Sequence, residues 1–329
     1  MKLPIAHHPK FDSLTPREND LLEQTLTTVS KFVNKSGKIS TVKYSTRDAH
    51  AKSYSYLKGR FIPSKDENLK EFFPENEYNA LVRLSHANLK ISKSDRQLPL
   101  FGFALKIDDD SSTIANYPLV NFPLFMTKSV SVFLKVFMAI NRFFAGSIVT
   151  KPFQAFKILI SGVPMAFETM NWSFVSAIRN WIKSFKYFIL ARSYYSVGAY
   201  RLGNKIIKIK AIPLQFDPEF STGISVLEDV KSYISKNDLK YKILYQIAYE
   251  EKYQPISNLT KDWRKTDFLD FGIIECKEVL EETNLELEQL SFNPFDSKKE
   301  LQPVGKIQQI RKKVYERSIE TCNHSNEKI

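Results

Sequence analysis

The spacing of hydrophobic positions along this chain runs from helical to alternating, back to helical, and to alternating again. Residues 16–33 predict one helix on an N-terminal arm (1–38), with Thr15 as its N-cap. Four runs with period-two alternation and many β-branched or aromatic residues follow: ISTVKYST, AHAKSYSYLKGRFIP, YNALVRLSHANLKI and LFGFALKI. They predict strands between residues 39 and 107, ended by an exposed Asp- and Ser-rich loop at 108–112. Helical character returns over 127–190. Strands are predicted again at SYYSVGAYRLGNKIIKIKAIPL, where Gly203-Asn204 suits a hairpin turn, and at KYKILYQIAYE and FGIIECKEVL. A helix is expected over 224–237, and a last one over 303–320 that buries Ile307, Ile310 and Val314. Strands, helices and strands in this order predict an α+β chain built on an antiparallel sheet or barrel. One domain would span 39–320, with a helical stretch at 128–192 inside it and a short tail at 321–329.

Charge changes this picture at one place. The chain of 329 residues carries a net charge of +12, and residues 128–210 hold thirteen Lys and Arg against a single acid, Glu168. The same segment is rich in Phe, Ile, Val and Trp, which gives basic amphipathic helices. No run in it is long enough, at ~18 uninterrupted apolar residues, to span a bilayer. Three readings stay open: core-packed helices with a solvated basic face, a face for an anionic membrane, or a face for nucleic acid or another acidic partner. Cys276 and Cys322 lie far apart in no metal-ligand spacing, which argues against structural zinc and against a disulfide framework. The N-terminal MKLPIAHHPKFD lacks the apolar run of a signal peptide, so a cytoplasmic location is expected.

Three clusters carry chemistry. On the last helix Arg311 and Tyr315 are four residues apart and share a face, so a guanidinium can reach a phenolic oxygen. Such a pair is common on helices and by itself says little. His50 stands between Ala49 and Ala51, with room for a small or flat ligand. Arg47 would need a bulge or bend to reach the same face. Arg83 and Ser85 share one face of a strand, where a buried arginine needs a carboxylate from the protein or from a ligand.

Taken in order, these clusters resemble the heme-binding core of the catalase superfamily, and in particular its small members that stop soon after the last helix. R-x-x-H-A at Arg47–Ala51 is similar to the distal histidine motif, and V-R-L-S at Val82–Ser85 to the strand that adds a propionate arginine and a serine bonded to that histidine. Gly102-Phe103-Ala104-Leu105-Lys106 matches the family's G-F-A-L-K. Phe133, eight residues after Phe125, has the spacing of the phenylalanine that stacks on heme. Phe292-Asn293-Pro294 precedes Arg311 and Tyr315 at close to the family's spacing before its ligand motif. The resemblance covers roughly residues 40–107, 116–135, 190–213 and 285–318.

The resemblance implies a catalase-like antiparallel β-barrel with a C-terminal ligand helix, and heme b with Tyr315 on the iron. It makes His50 the distal acid–base group and Arg311, Arg47, Arg83, Ser85 and Phe133 the heme's other contacts. The distal asparagine falls on Val120 by gapless matching and on Asn121 one residue later; Asn121 is taken as the candidate. Ser53 and Ser55 stand where the family has glycines, Pro99 stands where it has an aspartate, and nothing resembles its later nucleotide-binding extension. The implied activity is peroxidase- or catalase-like oxidation with hydrogen peroxide or an organic or lipid hydroperoxide as substrate. Two alternatives remain: a fatty-acid hydroperoxide rearrangement like that of the catalase-like allene oxide synthases, at a membrane surface, and a heme-binding protein without catalysis. No nucleic-acid partner is expected. Peripheral contact with an anionic membrane through 128–210 is one expected partner, and a homo-oligomer is left open.

Overall fold

A computed structural model describes residues 2–40, 42, 44–46, 50–89, 91, 98–109, 111–280 and 290–326. Strands β1 (Lys52–Pro63), β2 (Tyr78–His86), β3 (Phe101–Asp108) and β4 (Thr113–Val120) form an antiparallel meander. Three helices follow, α1 (Pro16–Ile39) having come before: α2 (Val130–Ala145), α3 (Lys151–Thr169) and α4 (Trp172–Lys183). The chain then returns through β5 (Tyr194–Tyr195), β6 (Ala199–Leu202) and β7 (Lys205–Leu214), with Gly203 at φ +62° in the predicted hairpin. After α5 (Val226–Ile234) come β8 (Leu239–Ile247) and β9 (Leu269–Leu280), then β10 (Pro303–Val304) and α6 (Lys306–Asn326).

β9 pairs with both β8 and β1, and β8 pairs with β7, so the sheet closes into an eight-stranded antiparallel barrel. Inside it lie Leu57, Phe61, Val82, Leu84, Phe103 and Tyr117, all fully buried. Strand alternation sends Tyr56, Arg83, Ser85 and Ala104 to the outer face of the same wall.

Outside the barrel, α1, α2 and α6 pack on one another through Leu22, Leu26, Leu134, Ile307 and Ile310. Thr15 caps α1 as expected, and Glu18 completes the capping box: Glu18 N–H donates to Thr15 Oγ1 and Thr15 N–H to Glu18 Oε2. Two expectations are corrected. The described residues of ISTVKYST are not a strand: Ile39 closes α1, and Ser40, Val42, Tyr44, Ser45 and Thr46 are irregular. β4 was not expected, because TIANYPLV breaks the apolar alternation with Asn116 and Pro118. Among the described residues no helix is long and apolar enough to cross a membrane.

Candidate functional site

β1 does not run straight into β2. Ser53 faces Ser85, but Ser55 faces Leu84 and Tyr56 faces Arg83, so one extra residue bulges from β1. The bulge puts Ser53 and Tyr56, three residues apart, on one face of the wall. Arg83, 4% exposed, is received there. Its Nε–H donates to Ser53 Oγ at 2.9 Å and to Tyr56 Oη at 3.1 Å, and its Nη2 donates to the His50 carbonyl at 2.8 Å. No carboxylate among the described residues pairs with it.

His50 stands just before β1, at φ +51°, a left-handed backbone that a histidine holds only at some cost in strain. Ser85 Oγ lies 2.9 Å from its Nδ1. Across the sheet Ser85 pairs with Gly102, and Gly102 has no side chain for a reason: a Cβ there would come within 2.6 Å of both His50 Nδ1 and Ser85 Oγ. Burial pushes the His50 imidazole down to a pKa of about 3, helped by the positive charges of Arg83 and Arg311 and by His86. The ring is therefore neutral at any physiological pH.

On the helical side, Tyr315 Oη accepts the Phe292 N–H at 3.0 Å. The Phe292 ring lies 6.4 Å from that of Tyr56, the residue that holds Arg83. Tyr315 and Arg83 thus border the same region between the barrel wall and α6. Arg311 donates to Gln308 Oε1 at 2.8 Å, one turn back on α6. It also lies beside Tyr200, whose hydroxyl is pushed up to about 12 by burial against the opposing pull of Arg311. Gly198 opens the space Gln308 fills, since a Cβ there would meet Gln308 Nε2 at 2.4 Å. Phe133 stacks on Phe137 at 5.5 Å and meets Phe125 edge-on at 5.1 Å, packed with Val314 beside Ile307 and Ile310 of α6.

His50, Arg83 and Ser85 come together, and Tyr315, Arg311 and Phe133 gather on the helical side. Arg47 lies outside the described residues. Asn121 lies off the face of His50. Ser85, Gly102 and Val120 form one cross-strand row, so Val120 shares the face of His50. Alternation turns Asn121 the other way, where Oδ1 accepts the Phe101 N–H at 2.8 Å and Nδ2 donates to the Pro99 carbonyl at 2.8 Å. Its amide thus bonds the backbone at both ends. Tyr56, Ser53, His86 and Gln308 were missed. Strict alternation hides the first pair behind the bulge, and Gln308 gave no signal in the sequence.

The whole chain superposes on catalases of known structure. A fungal catalase matches with a TM-score of 0.61 at 16% identity, covering 99% of this chain and 65% of its own. Catalase A from Saccharomyces cerevisiae gives 0.61 at 17% identity, covering 99% and 67%. The fold is catalase-like. A bacterial catalase agrees, at 0.61 and 13% identity over 86% of this chain and 58% of its own. No family model and no curated protein sequence matches. The catalase-like chain spans about two thirds of the length of these catalases or less. A second recess, about 670 Å³, opens between α4 and the barrel and is lined by Arg192, Lys208, Lys210, Asp262 and Trp263.

Proposed function

We propose that this chain is a heme-dependent oxidoreductase that acts on hydrogen peroxide or on organic and lipid hydroperoxides. One observation carries the reading: three motifs separate in sequence bring His50, Arg83, Ser85 and Gly102 together around a single imidazole. The residues suit heme b. Arg83 is a buried cation that pairs with no carboxylate among the described residues, the environment a propionate would complete. Tyr315, whose Oη accepts the Phe292 N–H, offers a phenolic oxygen of the kind that holds ferric iron. Phe133 offers an aromatic wall beside α6.

When bound, heme supplies the redox chemistry of peroxide cleavage. His50 supplies the proton transfers. In the tautomer that donates from Nδ1 to Ser85, Nε2 keeps its lone pair and can take a proton from the O–H of a hydroperoxide, then return it to the leaving oxygen. Ser85 and Gly102 hold the ring in place, and Arg83 fixes the strained His50 backbone through its carbonyl. Gln308 holds Arg311 on the helix of Tyr315. With Val120 on the face of His50, that row offers no second polar side chain to a bound peroxide, which favours peroxidase-type use or rearrangement over rapid disproportionation.

The test is the absorption spectrum of the purified, hemin-loaded chain with product analysis. Tyr315→Phe should lose heme or change its Soret band. His50→Gln should keep the band and lose peroxide cleavage by about 10²–10⁴-fold, the share of a positioned acid–base group. An unchanged spectrum in Tyr315→Phe would sink the ligand assignment. Oxygen evolution, oxidised donor or a rearranged lipid identifies the reaction among the three; full heme loading with no turnover of any hydroperoxide would make this a heme-binding protein only.

A further inference from the structure

α3 is nineteen residues long and none of its residues is buried. Helices of a folded domain form because one face is covered, and this one has a face to cover. Phe153, Phe156, Ile160, Val163 and Phe167 follow one another at spacings of three and four, a single stripe along about 21 Å of helix, and all are exposed. α4 continues it. Phe174 and Ala177 pack inward on Leu124, while Trp172, Val175, Ile182 and Phe185 point out, Trp172 at 83% exposure.

The exposed charges that α2, α3 and α4 themselves carry are of one sign. Lys128, Lys135, Arg142, Lys157, Arg179 and Lys183 are exposed on the three helices and their entry. Lys157 lies over the Phe153 ring at 4.4 Å, its stem along the apolar stripe and its ammonium at the edge. The segment's sole acid, half-buried, is engaged by the chain itself: Glu168 Oε2 accepts the Thr127 hydroxyl, and the Lys128 N–H at 2.8 Å.

We propose that α3 and α4 form a docking face for an anionic lipid surface, the apolar stripe lying among the headgroups and acyl boundary and the cations on the lipid phosphates. A second copy of the chain is a poorer occupant, because a two-fold contact would bring the same cations together with no acid to meet them. Lipid satisfies both halves of the face at once. The proposal does not rest on heme, and no activity enters its test.

The full chain is floated with vesicles of phosphatidylcholine alone and with phosphatidylglycerol added. Flotation should need the anionic lipid, with partition at least about tenfold stronger, and should fade as salt shortens the Debye length from ~10 Å at 0.1 M to ~3 Å at 1 M. Arg179→Glu and Lys183→Glu should each weaken it by about fivefold or more. Phe156→Glu with Phe167→Glu, both at exposed positions, should abolish it while circular dichroism and melting stay as in the parent. Trp172 emission should shift to the blue on vesicles, and the shift should vanish in Trp172→Phe. The proposal is overturned if the chain stays down with anionic vesicles at low salt, or if the double Phe variant floats as well as the parent. It is overturned equally if sedimentation shows a lipid-free dimer that Phe156→Glu dissolves and vesicles do not bind: the face would then belong to a second copy.

Discussion

Neutral His50 has a consequence for stability, because the unfolded chain does not keep it neutral. Its folded pKa is depressed to about 3, chiefly by burial and then by Arg83, Arg311 and His86. As pH falls below the ordinary histidine value of ~6.5, the unfolded chain takes up a proton that the folded site refuses, so stability drops across the window from 6.5 to about 3. Between pH 7 and 5 this one group should cost the fold ~2 kcal/mol. His50→Gln removes the titrating group, so its denaturant midpoint should fall less over that interval than the parent's. Equal slopes for parent and variant would mean that the ring is not held neutral. This part of the site was legible early: the histidine between alanines, the arginine and serine two apart, and the glycine opposite them each gave a local signal. What the residues did not give was the choice between Val120 and Asn121, since only the register of β3 with β4 says which of two neighbours shares a face with Ser85.

Elements were legible where one pattern ruled them. α1 with its cap, the β6–β7 hairpin and the final helix follow from spacing and turn residues. β4 did not, because its exceptions are repaid by tertiary contacts. Asn116 is fully buried yet donates to the Asn293 carbonyl at 3.0 Å, and its N–H meets Ser297 Oγ at 2.8 Å. Pro118 costs no hydrogen bond to β5, which pairs with β4 only at Val120. The join between α1 and α6 is testable at this scale. Glu18 Oε2 accepts both the Thr15 N–H at 2.8 Å and Lys306 Nζ at 3.0 Å, tying the capping box to the first residue of α6. Burial raises its carboxyl, and the Thr15 and Lys306 donors more than reverse that, leaving it below the usual range. Glu18→Ala should cost ~1–2 kcal/mol by losing the reciprocal cap and the ion pair together, and Glu18→Gln, which can still accept from Thr15, about half of that. Urea unfolding of both variants measures the difference; an Ala variant as stable as the parent would leave the two helices joined by apolar packing alone.

At the scale of the whole molecule the chain has two bodies of packing with the site between them. The barrel is closed and filled by its own core, so it does not need a ligand to fold. The layer of α1, α2 and α6 rests on smaller apolar clusters and carries Tyr315, Arg311 and Phe133 against the outer wall that carries Arg83 and Ser85. A ligand gripped from both sides should therefore stabilise the helical layer more than the barrel. Hemin that binds only the folded state at ~100 times its dissociation constant should add about 2.7 kcal/mol, with the melting temperature rising as hemin is added. Amide exchange locates that energy: protection should grow most along α6 and least in β7 and β8, on the far side of the barrel's closure from β2 and β3. Tyr315→Phe should flatten the dependence on hemin, while His50→Gln should leave it nearly intact, because the proposed reading gives the iron to Tyr315 and only proton transfer to His50. A melting temperature indifferent to hemin, or protection that rises evenly over barrel and helices, would mean that the space between the wall and α6 does not hold the cofactor.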